Sequence, residues 1–297
     1  CEQGRNFANK VWNASRLITG WDIAKIDQPE YARMAVSWFE NKLNKSIHEI
    51  DRSYSNYRIS EALMSTYKLI WDDFCSWYLE IIKPNYGSPI DCNTYKSTII
   101  YLEKLLKLLH PFMPFLSEEI WHLIDERKED IIIAEWPKSK KIEESILKRF
   151  HVTSEVVSSV RNFRKQQQIS PKEKITLLIK ENGLLLKNQD SIICKLANLE
   201  VINYVDRKPS NTFSFMIESN EYFIPYEQDI DVKSEIKKLQ KELDYMNGFL
   251  NSVESKLQNE KFIKNAPHAL VEKERKKKKD AKEKILILEK RINSMEE

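Results

Sequence analysis

The chain has 297 residues, which at about 150 per domain leaves room for two domains with an appendage. Five glycines argue against a turn-rich all-β fold or a glycine-cradled nucleotide site, and 41% apolar residues, with seven Trp, twelve Tyr and twelve Phe, exclude general disorder. Forty-eight Lys and Arg against 45 Asp and Glu give +3, so a nucleic-acid reading has to come from charge placement and not from the total.

Mean hydropathy is −0.55 and no apolar stretch approaches about twenty residues, so no membrane contact is expected. Arg5, Lys10 and Arg16 interrupt the first twenty residues, which do not read as a signal peptide. The opening residue is Cys1 and not Met, as expected of a piece of a longer protein. Cys1, Cys75, Cys92 and Cys194 lie far apart, which indicates neither a zinc ribbon nor a disulfide framework, and a reducing cytosol is the expected compartment.

A first helix is predicted from about Glu2 to Thr19, with Phe7, Val11, Ala14 and Ile18 as its buried stripe. Asn6, Lys10, Asn13 and Arg16 repeat as regularly on another face. Beyond Glu2 that face has amides and bases but no carboxylate; it fits phosphates and base edges, as well as plain solvation. Pro29 opens a second helix lined by Ala35, Phe39, Leu43, Ile47, Ile50, Tyr54 and Tyr57. Ile59, Leu63, Tyr67, Ile70, Phe74, Trp77 and Ile81 mark a third, ended by Pro84. Tyr95, Ile99, Leu102, Leu106 and Leu109 carry a fourth, which stops at His110-Pro111. Ser117 reads as the N-cap of a fifth, with Glu118 and Glu119 in its first turn. Five amphipathic helices with short connections predict a helical bundle over 1–140.

Ile131–Ile133 reads as a short extended piece. A junction helix from Glu143 to about Gln168 carries Ile146, Phe150, Val156, Val160 and Phe163, with Thr153 breaking the stripe. Arg161, Arg164 and Lys165 crowd its distal end, and residues 141–180 hold nine basic against four acidic groups. Strands are expected at Ile175–Ile179, Val201–Val205, Thr212–Ile217 and Tyr222–Tyr226, with a helix over Asn188–Leu196. Together 141–228 form a junction helix and a small α+β module. From Val232 to Leu257 the apolar residues alternate spacings of four and three, and Ala281, Ile285, Leu288, Ile292 and Met295 resume that rhythm. The pattern predicts an antiparallel coiled-coil hairpin over 229–297, on the order of 40 Å long. The fold class is therefore mainly α.

The five histidines are scattered, and no Walker loop or H-E-x-x-H is present. His110 reads as a helix-terminal residue with a structural hydrogen bond, and Glu118-Glu119 and Asp72-Asp73 as structural pairs. No metal site and no catalytic residues are expected.

Gly4-Arg5-Asn6-Phe7-Ala8-Asn9-Lys10-Val11-Trp12-Asn13-Ala14-Ser15-Arg16 resembles the opening of the anticodon-binding domain of valyl-tRNA synthetases. Phe74-Cys75-Ser76-Trp77-Tyr78-Leu79-Glu80 is similar to the F-x-x-W-Y-L-E segment, and His110 to Phe115 followed by Glu118 to Trp121 to the H-P-F-M-P…E-E-I-W stretch, both shared with isoleucyl and leucyl relatives. The tail Leu257-x-Asn259-x-x-Phe262-x-x-Asn265-Ala266-Pro267, then Val271-x-Lys273-Glu274-Arg275, resembles the terminal coiled coil of the valyl enzymes. An isoleucyl enzyme is expected to end in cysteine zinc ligands, for which this chain has no suitable pairs. The resemblance is strong over 1–137 and 229–297, whereas the module at 172–228 matches poorly.

This resemblance implies the tRNA-binding part of an ATP-dependent ligase that attaches valine to its tRNA. The H-I-G-H and K-M-S-K-S signatures that hold ATP, and an editing domain, are absent from these residues. The implied cofactors are therefore none within this segment, with ATP, magnesium and valine held by an absent catalytic domain. By the same resemblance, Lys10, Asn13, Arg16 and Leu17 of the first helix and Leu79 and Glu80 of the third meet the anticodon loop. Arg16 and Lys10 suit phosphates, Asn13 a base edge, Glu80 an exocyclic amine and Leu17 a base face. Phe262, Lys273, Arg275, Lys276 and Lys277 of the arm are expected at the tRNA elbow, and Arg161, Arg164 and Lys165 along the limb between. The arm's lysines also fit a solvated coiled-coil face, Phe262 also fits packing against Ala266 and Pro267, and the junction bases also fit a solvated helix end. The implied partners are valine tRNA and the catalytic and editing domains of the same chain, in a cytoplasmic monomer. A competing reading is a protein-interaction module whose coiled-coil arm docks a partner or dimerises.

Overall fold

In the computed structural model, the described residues are 2–180, 189–207, 209–210, 212–218, 220–225, 232–258, 271–272, 274–275, 277–279, 281–282, 285 and 289. Helix α1 (Glu2–Thr19) buries Phe7, Val11, Ala14, Ser15 and Ile18, the predicted stripe plus one serine whose hydroxyl donates to the Trp12 carbonyl at 2.8 Å. Helix α2 (Glu30–Ser55) starts immediately after Pro29, which has no amide proton to leave unpaired, and runs through the middle of the bundle. Phe39, fully buried on α2, sits 4.8 Å from Tyr78 and 5.3 Å from both Phe74 and Tyr101 by ring centroids. The Tyr78 hydroxyl is satisfied inside that aromatic cluster by Thr98 at 2.8 Å. Tyr57, expected on the inner side of α2, is instead 91% exposed. Asn56 caps the helix, and Tyr57 turns the chain with a φ of 56°.

The third helix is built in three parts: α3 (Ile59–Lys68), a π-helical segment (Leu69–Tyr78) with i→i+5 hydrogen bonds, and α4 (Leu79–Ile82). Its inner face differs from the predicted one. Ile59 and Leu63 are exposed, while the smaller Ala62 and Thr66 face inward and let α2 approach closely. Helix α5 (Cys92–Leu109) begins with Asp91 accepting from the Thr94 amide at 2.8 Å. A two-residue parallel ladder, β1 (Ile23–Ala24) on β2 (Ile90–Asp91), secures the chain before α2, and no sequence pattern marked it. Helix α6 (Pro114–Ile124) starts four residues earlier than predicted, because Pro114 fits the first turn. Ser117 is thus not an N-cap. Its hydroxyl lies inside the helix, 2.8 Å from His110 Nδ1, and gives His110 the expected structural bond. Ile131–Ile133 forms a single 3₁₀ turn and not an extended piece.

Helix α7 (Glu144–Gln166) serves two cores. Phe150 stacks on Trp38 of α2 at 3.6 Å, whereas Val152, Val156, Val157, Val160 and Phe163 join the core of a four-stranded sheet. Thr153, the break in the stripe, is fully buried, and its hydroxyl hydrogen-bonds Gln189 at 2.9 Å. The sheet has the order β4-β3-β6-β5, from β3 (Ile175–Lys180), β4 (Leu199–Tyr204), β5 (Thr212–Ile217) and β6 (Asn220–Pro225). β3 and β4 run parallel across helix α8 (Asp190–Ala197), and β6 pairs antiparallel with both β3 and β5. All four strands and α8 lie where the sequence periods change, within one or two residues.

The chain divides into two compact units, Cys1–Tyr226 and Glu227–Glu297. In the second, α9 (Val232–Gln258) buries Val253, and Val271, Ala281 and Ile285 are buried on the residues that follow. Glu254 of α9 accepts from Lys278 at 3.0 Å and from Lys282 at 3.5 Å, so the chain folds back on α9. Among the described residues no helix is long and apolar enough to cross a membrane.

Candidate nucleic-acid interface

α1 packs on the π-helical segment, α5 and α6, and turns its polar face outward. Asn6, Asn13 and Arg16 are exposed, and among the described residues nothing engages the side chains of Asn13 or Arg16. Arg16 also lies in the last turn, where the helix dipole favours a cation. Lys10 is different. Its Nζ donates to Ser76 Oγ at 3.0 Å and lies 4.0 Å from the centroid of the Trp71 ring. Ser76 in turn donates to the Trp71 carbonyl at 2.8 Å. Sequence reasoning missed Trp71 and Ser76, because nothing local links a lysine to residues more than sixty positions away. Leu17 is 37% exposed at the edge of the same helix.

The two expected anticodon residues of the third helix differ in burial. Leu79 is 3% exposed and its side chain belongs to the bundle core. Glu80 is exposed on α4, which also packs on α8. Its charge acts on Lys195 of α8, whose Nζ donates to the Lys83 carbonyl at 2.8 Å and sits 3.9 Å from the Tyr31 ring centroid. Burial lowers Lys195 to about 8, with Glu80 pulling the other way.

The junction bases separate by role. Arg164 is 6% exposed and donates to the Ser170 carbonyl at 3.1 Å and the Asn198 carbonyl at 2.9 Å. It is therefore a brace inside the module and not an RNA contact; burial lowers its pKa. Arg161 is exposed but donates through Nε and Nη2 to the Leu196 carbonyl, at 3.2 and 2.9 Å, where α8 ends. Lys165 is exposed and, among the described residues, unpaired.

On the arm, Phe262, Lys273 and Lys276 lie outside the described residues. Arg275 is exposed and pairs with Glu272 at 3.1 Å, and Lys277 donates to the buried Glu274 at 2.6 Å. Both are i,i+3 pairs; the exposed Arg275–Glu272 contact is worth only ~0.2–0.5 kcal/mol, whereas Lys277 neutralises a buried carboxylate.

Glu118, His122 and Asp130 bring three metal-type donor atoms within 4.8 Å of one another. His122 Nε2 already lies 3.1 Å from Glu118 and 3.4 Å from Asp130, and Glu118 accepts from the Ile131 amide at 3.1 Å. The trio staples α6 to the loop that follows it. Cys75, Cys92 and Cys194 are free thiols, and burial raises Cys75 to about 11, so it stays neutral beside Lys10.

Residues 37–179 match the family described as the anticodon-binding domain of tRNA ligase, and residues 231–296 the valyl tRNA synthetase tRNA binding arm. The chain is 50% identical over 298 residues to a valine–tRNA ligase of Christiangramia forsetii and 46% to one of Phocaeicola vulgatus. A valine–tRNA ligase of Enterococcus faecalis is 36% identical over 302 residues. These alignments take in 97–99% of this chain and 34% of each relative, so the chain spans about a third of the length of the curated relatives it matches. The bundle with its outward amide-and-base face, and the folded-back arm behind it in sequence, are the parts that these matches cover: the chain belongs to the valyl-tRNA synthetase family.

Proposed function

We propose that these residues form the tRNA-recognition part of a valine–tRNA ligase, in which 1–140 binds the anticodon loop, 141–228 joins it to the arm, and 229–297 grips the tRNA elbow. The observation that carries the reading is the face of α1: Asn13 and Arg16 are exposed and unengaged, with Lys10 held beside them and no carboxylate beyond Glu2. Single-stranded loops expose Watson–Crick edges, which an amide reads in two bonds while bases neutralise the flanking phosphates. Arg275 and Lys277 offer the elbow sequence-independent phosphate contacts. Two linked sites raise each other's effective concentration and orient the acceptor end. ATP with magnesium and valine are handled outside these residues, which carry neither ATP signature. The protein works as a cytoplasmic monomer. The buried Val253, Val271, Ala281 and Ile285 favour this over a dimerising arm, since the chain covers its own seam.

Anisotropy titration of the chain with valine tRNA at two salt concentrations, beside its mass in solution, tests the reading. Binding with a salt slope of several phosphates by a monomer is expected. A dimer that ignores RNA would replace it with the protein-interaction reading.

A further inference from the structure

Lys10 belongs to a closed aromatic clip. Its ammonium sits on Trp71, Trp71 stacks on Tyr67 at 5.7 Å and 10°, and Tyr67 meets Phe7 at 4.8 Å. Phe7 and Lys10 are one turn apart on α1 and so bracket the Tyr67–Trp71 pair. Ser76 closes the other side. Its one hydroxyl proton goes to the Trp71 carbonyl, which leaves an oxygen lone pair facing Lys10. Trp71 and Ser76 are five residues apart within the π-helical segment, where i→i+5 bonding keeps them on one side. In an ordinary α-helix, residues five apart are turned about 140° from each other, and the lysine would lose one of its two partners.

We propose that Trp71 and Ser76 are positioning residues for RNA recognition: through the π-helical turn they fix the ammonium of Lys10, which is one turn from Asn13 on α1, before RNA arrives. This rests on the reading of the α1 face as the anticodon surface. A lysine is among the most rotamer-rich side chains, so ordering it in advance removes a cost otherwise met on binding. Ser76 takes one ammonium proton and the other two remain for a phosphate or base acceptor. The clip thus converts a flexible charge into a fixed donor, which favours one register of the loop over a general pull on phosphates.

The test uses the full chain, the anticodon stem-loop of valine tRNA as probe, and the variants Lys10→Ala, Ser76→Ala, Trp71→Leu and Trp71→Phe. Ser76→Ala and Trp71→Leu are each expected to weaken binding about 3- to 10-fold, the loss of one pre-ordered side chain. Trp71→Phe, which keeps a ring, restores most of it, and either change made in Lys10→Ala adds nothing further. Equal losses in the presence and absence of Lys10 would overturn the proposal by showing a general structural effect. The Lys10 side-chain proton shifts, displaced by the Trp71 ring, report the clip without RNA. If they move in Trp71→Leu while Lys10→Ala leaves affinity unchanged, the clip stands as geometry, and both the positioning role and Lys10's part in the RNA face fail. If they do not move, the clip itself is wrong, whatever the RNA face does.

Discussion

The Arg164 guanidinium donates to the carbonyl of Asn198 at 2.9 Å, the residue that ends α8 in a left-handed turn with a φ of 50°. A second bond to Ser170 at 3.1 Å ties the same side chain to the loop after α7. Arg164→Met leaves two carbonyls without their charged donor and is expected to cost about 2–4 kcal/mol in urea unfolding. Lys165→Ala, one residue on and exposed, should stay within about 0.5 kcal/mol. Similar losses at both positions would show that the brace is not specific.

Burial raises Asp73 from an ordinary 3.8 to about 6, against the pull of Lys42 at 3.4 Å. The folded state therefore binds this proton more tightly than the unfolded chain. Its contribution to stability is present below about pH 4 and lost as pH rises through 6. The melting temperature of the wild type minus that of Asp73→Asn should fall between pH 4 and 6 and level off above. A rise over that range would mean that the Lys42 pair outweighs desolvation.

Exposed and unengaged, Asn13 and Arg16 can be removed without loss of stability beyond about 0.5 kcal/mol. Arg16→Ala is expected to weaken tRNA binding and lower the salt slope by about one, and Asn13→Ala to weaken it with the slope unchanged. Leu79→Ala should do the reverse, costing about 2–4 kcal/mol of stability as a core truncation with no selective effect on RNA. Circular-dichroism melts and anisotropy on the same samples separate the two classes.

Val253 is 2% exposed in the arm, so Val253→Asp places an unpaired carboxylate in its seam. Helix content and affinity for whole tRNA are expected to drop, with affinity for the isolated anticodon stem-loop unchanged. Glu254→Gln removes only solvent-screened ion pairs to Lys278 and Lys282 and is expected to leave helix content and both affinities close to those of the wild type. An arm variant that loses the stem-loop as well would contradict the two-anchor scheme.

Periodicity located the helices and the strands because each element has one buried face, and that face repeats at the element's own period. It failed where the period itself changes. The π-helical turn at Leu69–Tyr78 and the small inward residues Ala62 and Thr66 displaced Ile59 and Leu63 to the surface. Helix α6 opens with Pro114 in its first turn behind Met113 as N-cap, and not behind Ser117, since Pro and Ser both suit a helix start and the sequence offers both. The outward polar face of α1, with Asn13 and Arg16 exposed, was legible from helical spacing. The burial of Leu79 and Arg164 was not, because a motif gives residue order and not burial. Nothing within reach of Lys10 in sequence announces Trp71 or Ser76, which only the packing of α1 on the third helix supplies.

The proposed recognition role requires the anticodon to govern affinity for the tRNA. The most direct measurement compares affinity for valine tRNA with that for the same tRNA carrying a changed anticodon, at one fixed salt concentration. The account predicts a loss of about 1–3 kcal/mol on the change, abolished in Asn13→Ala/Arg16→Ala. Equal affinity for both tRNAs would contradict it, and would leave the arm's phosphate contacts as all that binds.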